Sequence, residues 1–155
     1  MKQIIRADLQ NAIHQQGLIA CLDAYARDPM GGGEPLAEDA KLRLINGLLR
    51  QPANVNFLAQ HGTDIVGAAV CFMGYSTFRA RPRLNIHDLC VLPTHRGQGL
   101  GRLLLQSVAD YAREQDCCAV SLEVRTDNRT AQTLYRSQGF GHLDSPMEFW
   151  VKPLC

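Results

Sequence analysis

The sequence predicts an α/β fold in which a mixed, mostly antiparallel sheet is flanked by helices. Apolar patterns with the periods of strands and helices follow one another in the order β, α, α, three strands, α, β, α, β, β. A chain of 155 residues, 46% hydrophobic and 20% charged, has the composition of one domain with a sizeable core. We therefore expect residues 1–155 to form a single domain.

The N-terminal half predicts a short strand over 3–6 and an amphipathic helix over 9–27, which Gly17 weakens in its middle. The Pro- and Gly-rich stretch 28–35 then breaks the chain, and we expect a mobile loop that either links two helices or lines a site. A second helix carries Leu42, Ile45, Leu48 and Leu49 and ends before Pro52.

The next segment predicts strands over 55–59 and 65–75 joined by a turn at 61–64. A connection over 76–83 carries Arg79, Arg81 and Arg83, either as a solvated edge or as partners of an anionic ligand, and leads into a strand over 84–92. The rest predicts the following elements: a helix from Leu100, a strand over 119–124, a helix over 129–137, and a last strand pair over 140–143 and 149–152.

The central strand runs into a loop with three alternating glycines, Arg96-Gly97-Gln98-Gly99-Leu100-Gly101, at the start of a helix. Missing Cβ atoms let a ligand approach the main chain, and a helix N-terminus favours anions. The letters do not fit G-x-G-x-x-G, because the third glycine would fall on Arg102, and no Gly-Lys-Ser/Thr follows as in a P-loop. They do fit R-x-x-G-x-G.

A second motif lies downstream in LEVRTDNRTAQTLYRSQGF, residues 122–140. Together the two motifs resemble the GCN5-related N-acetyltransferases (GNAT family), and the order of elements matches that fold along essentially the whole chain. The resemblance implies an acyl-CoA N-acyltransferase fold. It also implies that the protein uses acetyl-CoA as co-substrate.

The resemblance also implies which residues hold acetyl-CoA. The pyrophosphate and pantetheine would lie against main-chain amides of the loop, Asn128 would contact the pantetheine arm or a phosphate, and a bulged central strand would leave amides free for the thioester. The cofactor-binding residues expected on this basis are Leu89, Cys90, Val91, Arg96, Gly97, Gln98, Gly99, Leu100, Gly101 and Asn128.

Acetyl transfer to an amine also needs a base and a group at the leaving sulfur. By resemblance Tyr135 lies near that sulfur. Strict strand alternation would place His87 with Leu89 and Val91 on one face, so His87 is our first candidate base, and Asp88 on the other face would anchor a helix or loop. Glu123 is the second candidate, because the protein N-terminal acetyltransferases have a glutamate there.

Composition narrows the partners. The net charge is +1 without long runs of one sign, so we expect neither nucleic acid nor membrane as a partner. The six cysteines form no C-x-x-C and the five histidines no i, i+4 pair, so we expect reduced cysteines, no metal site and a cytoplasmic protein.

These observations predict an N-acetyltransferase that moves an acetyl group from acetyl-CoA to a primary amine by direct attack. The amine belongs either to a small molecule, such as a polyamine or arylalkylamine, or to a protein. The alternative is a non-catalytic acyl-CoA-binding sensor or scaffold of the same fold. Many relatives are homodimers, so the resemblance also allows a homodimer here.

Overall fold

A computed structural model describes residues 1–155 as one sheet with helices on both faces. The elements, in chain order, are β1 (Lys2–Arg6), α1 (Ala12–Arg27), α2 (Glu38–Leu49), β2 (Asn54–His61), β3 (Asp64–Ser76), β4 (Arg81–Val91), a 3₁₀ turn (Pro93–His95), α3 (Leu100–Glu114), β5 (Val120–Leu122) and α4 (Arg129–Ser137). The predicted α/β class is confirmed, and so is the order of the nine helices and strands; the 3₁₀ turn was not predicted.

The strands lie in the order in which they occur along the chain, β1-β2-β3-β4-β5. The first four are antiparallel neighbours, and β5 pairs with β4 in parallel. The parallel pair requires a crossover, which α3 supplies. The sheet is therefore mixed and mostly antiparallel, as expected.

Each face of the sheet has its own hydrophobic core. On one face α3 packs Leu100, Leu104 and Val108 against strand residues such as Val66 and Ile86. On the other face α1 and α2 pack Leu18, Cys21 and Ile45 against Leu58 and Cys90, among others. The two faces are called the α3 face and the α1 face below.

Helix α1 begins at Ala12, three residues later than predicted, because Asn11 caps it. The Asn11 side chain accepts hydrogen bonds from the amides of Ile13 and His14. Gly17 has a packing role that helix propensity does not reveal. A Cβ at Gly17 would lie 2.4 Å from the Cβ of Ile65, so its absence allows α1 to approach β3.

The stretch 28–35, for which composition predicted an open loop, forms a hydrogen-bonded turn. The main-chain carbonyl of Asp28 accepts hydrogen bonds from the amides of Gly31, Gly32 and Gly33 at 2.8 to 3.1 Å, and Glu34 donates to Ala26. A side chain at Gly31 would meet the carbonyl oxygen of Tyr25 at 1.9 Å. The glycines therefore allow a compact turn against the end of α1.

The last predicted strand pair is wrong, because neither 140–143 nor 149–152 forms a strand. The C-terminal residues lie exposed, with Phe149 at 77% and Trp150 at 84% of their full accessibility. The side of β5 away from β4 consequently has no partner strand.

Replacement of Gly17 by alanine should destabilise the fold. Helix propensity alone would favour alanine by about 1 kcal/mol, but the added methyl group would overlap Ile65 and force α1 away from β3. We expect a net loss of roughly 1–3 kcal/mol in the free energy of unfolding, measured by urea denaturation. Gly47→Ala is the matched control, because a Cβ there has nothing within 4 Å. It should be neutral or stabilising; equal gains at both positions would contradict the close approach of α1.

Candidate active site

The centre of the candidate site is a β-bulge in β4. The register of β3 and β4 pairs Val70 with Asp88 and Cys71 with Ile86, which leaves His87 as the extra residue. A bulge bends its strand and interrupts the alternation of side chains between the two faces. The site therefore begins where strict alternation fails.

The bulge corrects the predicted assignment of faces. Before it, Leu84 and Ile86 belong to the α3 face; after it, Leu89 and Val91 do. Cys90 belongs to the α1 face.

The other bulge residues lie on the α1 face as well. Directly paired residues share a face, so Asp88 lies on the α1 face with Val70. The ring of His87 meets that of Phe72, which also packs on this face, edge-on at 5.6 Å. His87 and Asp88 thus lie on the same face, not on opposite ones.

A gap opens between β4 and β5 at the bulge. Pairing with β5 covers only Leu84, Asn85 and Ile86, so residues 87–91 have no partner on that side. Because the amide of Leu92 donates to the carbonyl of Val66 on β3 (2.8 Å), alternation turns the amides of Leu89 and Val91 into the gap. The amide of Cys90 points towards β3, which makes Cys90 unsuitable as a main-chain donor to a ligand in the gap.

At the end of β4 the glycine loop presents a row of free amides. None of the six main-chain amides of residues 97–102 donates to an acceptor in the structure, and no side chain caps α3. Gly97 and Gly99 have positive φ angles of 71° and 82°, a conformation that other residues rarely adopt. With the dipole of a 15-residue helix behind it, the loop is suited to bind an anion such as a pyrophosphate.

Arg96 braces this loop through its neighbours. Its Nε donates to the carbonyl of Val91 and its Nη1 to the carboxylate of Asp28, both at 3.0 Å. The hydrogen bond from the Met30 amide, followed by that from Arg96, lowers the pKa of Asp28. Arg96 therefore connects the glycine loop to the compact turn after α1.

Helix α4 lies close to the start of α3. A Cβ at Gly101 would lie 3.0 Å from Cδ2 of Leu134, so Gly101 serves helix packing as well as ligand access. Asn128 caps α4 by accepting from the amide of Ala131 at 3.2 Å. Tyr135 is half-buried, and burial raises the pKa of its hydroxyl to about 12. Asn128 and Tyr135 thus both belong to α4, the helix that packs against the start of α3.

The remaining residues considered in the sequence analysis are His87, Glu123 and three arginines. His87 and Glu123 are both exposed, and Glu123 directly follows β5. The three arginines Arg79, Arg81 and Arg83 line a cleft of about 740 Å³ at the start of β4. That end lies ten residue steps from Val91, or about 33 Å along a strand, so the arginines do not contribute to the glycine loop.

The acetyltransferase (GNAT) family model matches residues 18–140 of the chain. The chain belongs to the GNAT family. The match spans both motifs, the bulged strand and all of α3 and α4.

Curated acetyltransferases match part of the chain. The N-alpha-acetyltransferase RimI of Mycobacterium tuberculosis is 40% identical over 98 residues, which cover 62% of this chain and 58% of the relative. The streptothricin acetyltransferase of Streptomyces lavendulae is 41% identical over 86 residues, or 54% of this chain and 43% of the relative. The matched stretch thus spans about half the length of these relatives.

The GNAT fold is confirmed by solved structures. The crystal structure of a probable acetyltransferase superposes with a TM-score of 0.82 at 22% identity and covers 99% of this chain and 98% of that one. At this identity the likeness concerns the fold alone.

Because its amides are free, the glycine loop should bind CoA less tightly when a side chain is added to it. Gly99→Val should raise the dissociation constant for CoA at least about tenfold, or roughly 1.4 kcal/mol, because a side chain at φ 82° distorts the loop and occupies the space of the anion. Isothermal titration with CoA measures the effect.

Gly139→Val is the matched control for the loop. Gly139 also has a positive φ (86°) and nothing within 4 Å of the Cβ position, but it follows α4. CoA affinity should change little in that variant. Equal affinity of wild type and Gly99→Val would contradict the loop as the pyrophosphate site.

Proposed function

We propose that the protein is an acetyl-CoA-dependent N-acetyltransferase that transfers the acetyl group to a primary amine by direct attack in a ternary complex. The observation that carries the proposal is two groups of free main-chain donors, the amides of Leu89 and Val91 in β4 and those of residues 97–102 in the loop that follows. Two such groups suit a ligand with a polar arm and a pyrophosphate, as acetyl-CoA has. No metal takes part in the proposed reaction.

The main chain of β4 would stabilise the transition state. Attack on the thioester places negative charge on its carbonyl oxygen, and a fixed amide aimed at that oxygen lowers the barrier. The amides of Leu89 and Val91 are the donors that face the gap. Because the bulge rather than a flexible side chain holds them open, they need no rearrangement when the charge forms.

Tyr135 would assist the leaving sulfur as a hydrogen-bond donor. Its hydroxyl, with a pKa of about 12, stays protonated at neutral pH. A thiol titrates at about 8.5, so complete proton transfer to the CoA thiolate would be uphill by about 5 kcal/mol. We therefore assign Tyr135 the stabilisation of the departing thiolate, which then takes its proton from water.

The amine itself must lose a proton before it attacks. An alkylammonium with a pKa of about 10.4 leaves less than about 0.1% free amine at pH 7, which corresponds to about 4 kcal/mol. His87 and Glu123, the candidates from sequence, are both exposed, so solvent screens their charge. Either could serve only through water or on an acceptor that covers it.

The identity of the acceptor is part of the proposal only as a class. The two matched relatives are named N-alpha-acetyltransferase RimI and streptothricin acetyltransferase, so their names point to different acceptors. The six free cysteines support a reducing compartment such as the cytoplasm. The exposed apolar residues around Phe149 and Trp150 support a homodimer that covers them.

A panel of amines tests the activity against the alternative of a non-catalytic acyl-CoA sensor. The wild type should convert acetyl-CoA to CoA only when an acceptor is present. CoA should be measured by chromatography, since the chain's own cysteines would react with a thiol reagent. Tight CoA binding without turnover on any amine would favour the sensor.

Tyr135→Phe tests the leaving-group role. The change removes only the hydroxyl, so the turnover rate should fall about 10²-fold or more while CoA affinity and the thermal transition stay near those of the wild type. Tyr111→Phe is the control, because that tyrosine packs against Phe57 on the α3 face. Near-normal turnover of Tyr135→Phe would reduce Tyr135 to a packing residue.

A further inference from the structure

Asp88 is the one carboxylate on the bulge, and the one cationic group that acts on it is the exposed His87. It is half-buried on the α1 face, and its side chain forms no hydrogen bond and no ion pair. Asp28, by contrast, has a cationic partner, because its carboxylate forms an ion pair with Arg96. A half-buried carboxylate without a partner costs free energy unless a ligand supplies one.

Four other titratable groups lie near Asp88. On α1, Tyr25 is close enough that Asp88, after burial itself, raises the pKa of its hydroxyl. On β3 the charge of Asp88 also raises the pKa of the Cys71 thiol, after burial itself. On β4 the flanking groups are His87 and the thiol of Cys90. Tyr25 in turn contributes to the raised pKa of the Tyr135 hydroxyl. Of these groups only His87 can carry positive charge, and it is exposed.

We propose that Asp88 binds the ammonium group of the acceptor and takes its proton, so that the protein selects amines that are cationic before they react. The proposal rests on the acetyl transfer proposed above. It gives Asp88 a catalytic role, whereas the sequence predicted that Asp88 anchors a helix or loop. The bulge brings Asp88 to the α1 face next to the amides of Leu89 and Val91, which point into the gap. The acceptor nitrogen and the thioester carbon are thereby brought to one place.

The proton and electron balance is simple. The ammonium gives one proton to the Asp88 carboxylate, and its nitrogen lone pair forms the C–N bond. The C–S bond breaks, and its electron pair leaves with sulfur as the thiolate. The new amide nitrogen then gives its second proton to water, the thiolate takes one from water, and Asp88 releases its proton, so one proton is released per turnover.

The pH profile follows from the burial of Asp88. Burial raises the pKa of this carboxyl, and the neighbouring His87 opposes the shift. A base works in its deprotonated form, so kcat/KM should rise with pH through a value above the ordinary aspartate pKa of about 3.9. In Asp88→Asn, which keeps the size of the side chain, this rise should disappear and kcat/KM should fall about 10²-fold or more.

Two acceptors distinguish proton transfer from a structural role. The first is the best substrate among tyramine, spermidine and a peptide that begins with alanine. The second is hydroxylamine, which is small and largely unprotonated at neutral pH, with its uncatalysed reaction subtracted. Asp88→Asn should impair the ammonium substrate severely and hydroxylamine by less than about threefold, with CoA affinity unchanged. Asp110→Asn, on an exposed carboxylate of α3, is the matched control.

The remaining outcomes also decide for or against Asp88. Equal losses of kcat/KM with both acceptors would make Asp88 structural. If the rise of kcat/KM with pH disappears in His87→Ala or Glu123→Gln but persists in Asp88→Asn, that other residue is the base.

If the wild type turns over no amine, the proposed acetyltransferase activity fails, and tyramine is titrated into the CoA-saturated protein instead. Weakening of at least about tenfold in Asp88→Asn would then support the ammonium site; equal binding or none would overturn it.

Discussion

One extra residue in β4 is the constraint on which the rest of the site depends. Because His87 has no partner on β3, the side chains that follow it change faces, and the strand bends away from β5 after Ile86. The same bulge therefore opens the gap, exposes the amides of Leu89 and Val91 and turns Asp88 towards α1. A regular strand would pair these amides and bury the space that a thioester needs.

The site also depends on connections between elements that are distant in sequence. Asp28 holds the turn after α1 through its carbonyl and binds Arg96 through its carboxylate, while Arg96 also donates to the end of β4. The turn after α1, next to Tyr25, and the glycine loop are thus parts of one hydrogen-bonded unit. Gly17 contributes to the same arrangement, because it allows α1 to pack closely on β3.

Local patterns predicted much of this structure and failed where tertiary contacts decide. The helix predicted over about 129–137 has those bounds in the structure, because Gly139 after its end is a local signal. Asp88 lies opposite Leu89 and Val91 as predicted, but the prediction that His87 shares their face was wrong, because one inserted residue leaves no trace in an alternating pattern. Residues 140–152 have apolar residues that suit strands, but a strand forms only when a neighbour accepts its hydrogen bonds, and here β5 has just three residues. Composition also could not reveal that the glycines of 28–35 serve a compact turn.

Burial would suit Asp88 and Tyr135 to the opposite tasks proposed for them. Burial raises the pKa of both Asp88 and Tyr135. For the carboxylate a higher pKa means a greater affinity for a proton, which suits a group that must take one from an ammonium. For the phenol it means that the proton stays in place, which suits a donor to a departing thiolate. One desolvated environment can therefore supply both the base and the hydrogen-bond donor, without a metal ion, provided that the two groups lie on either side of the reacting atoms.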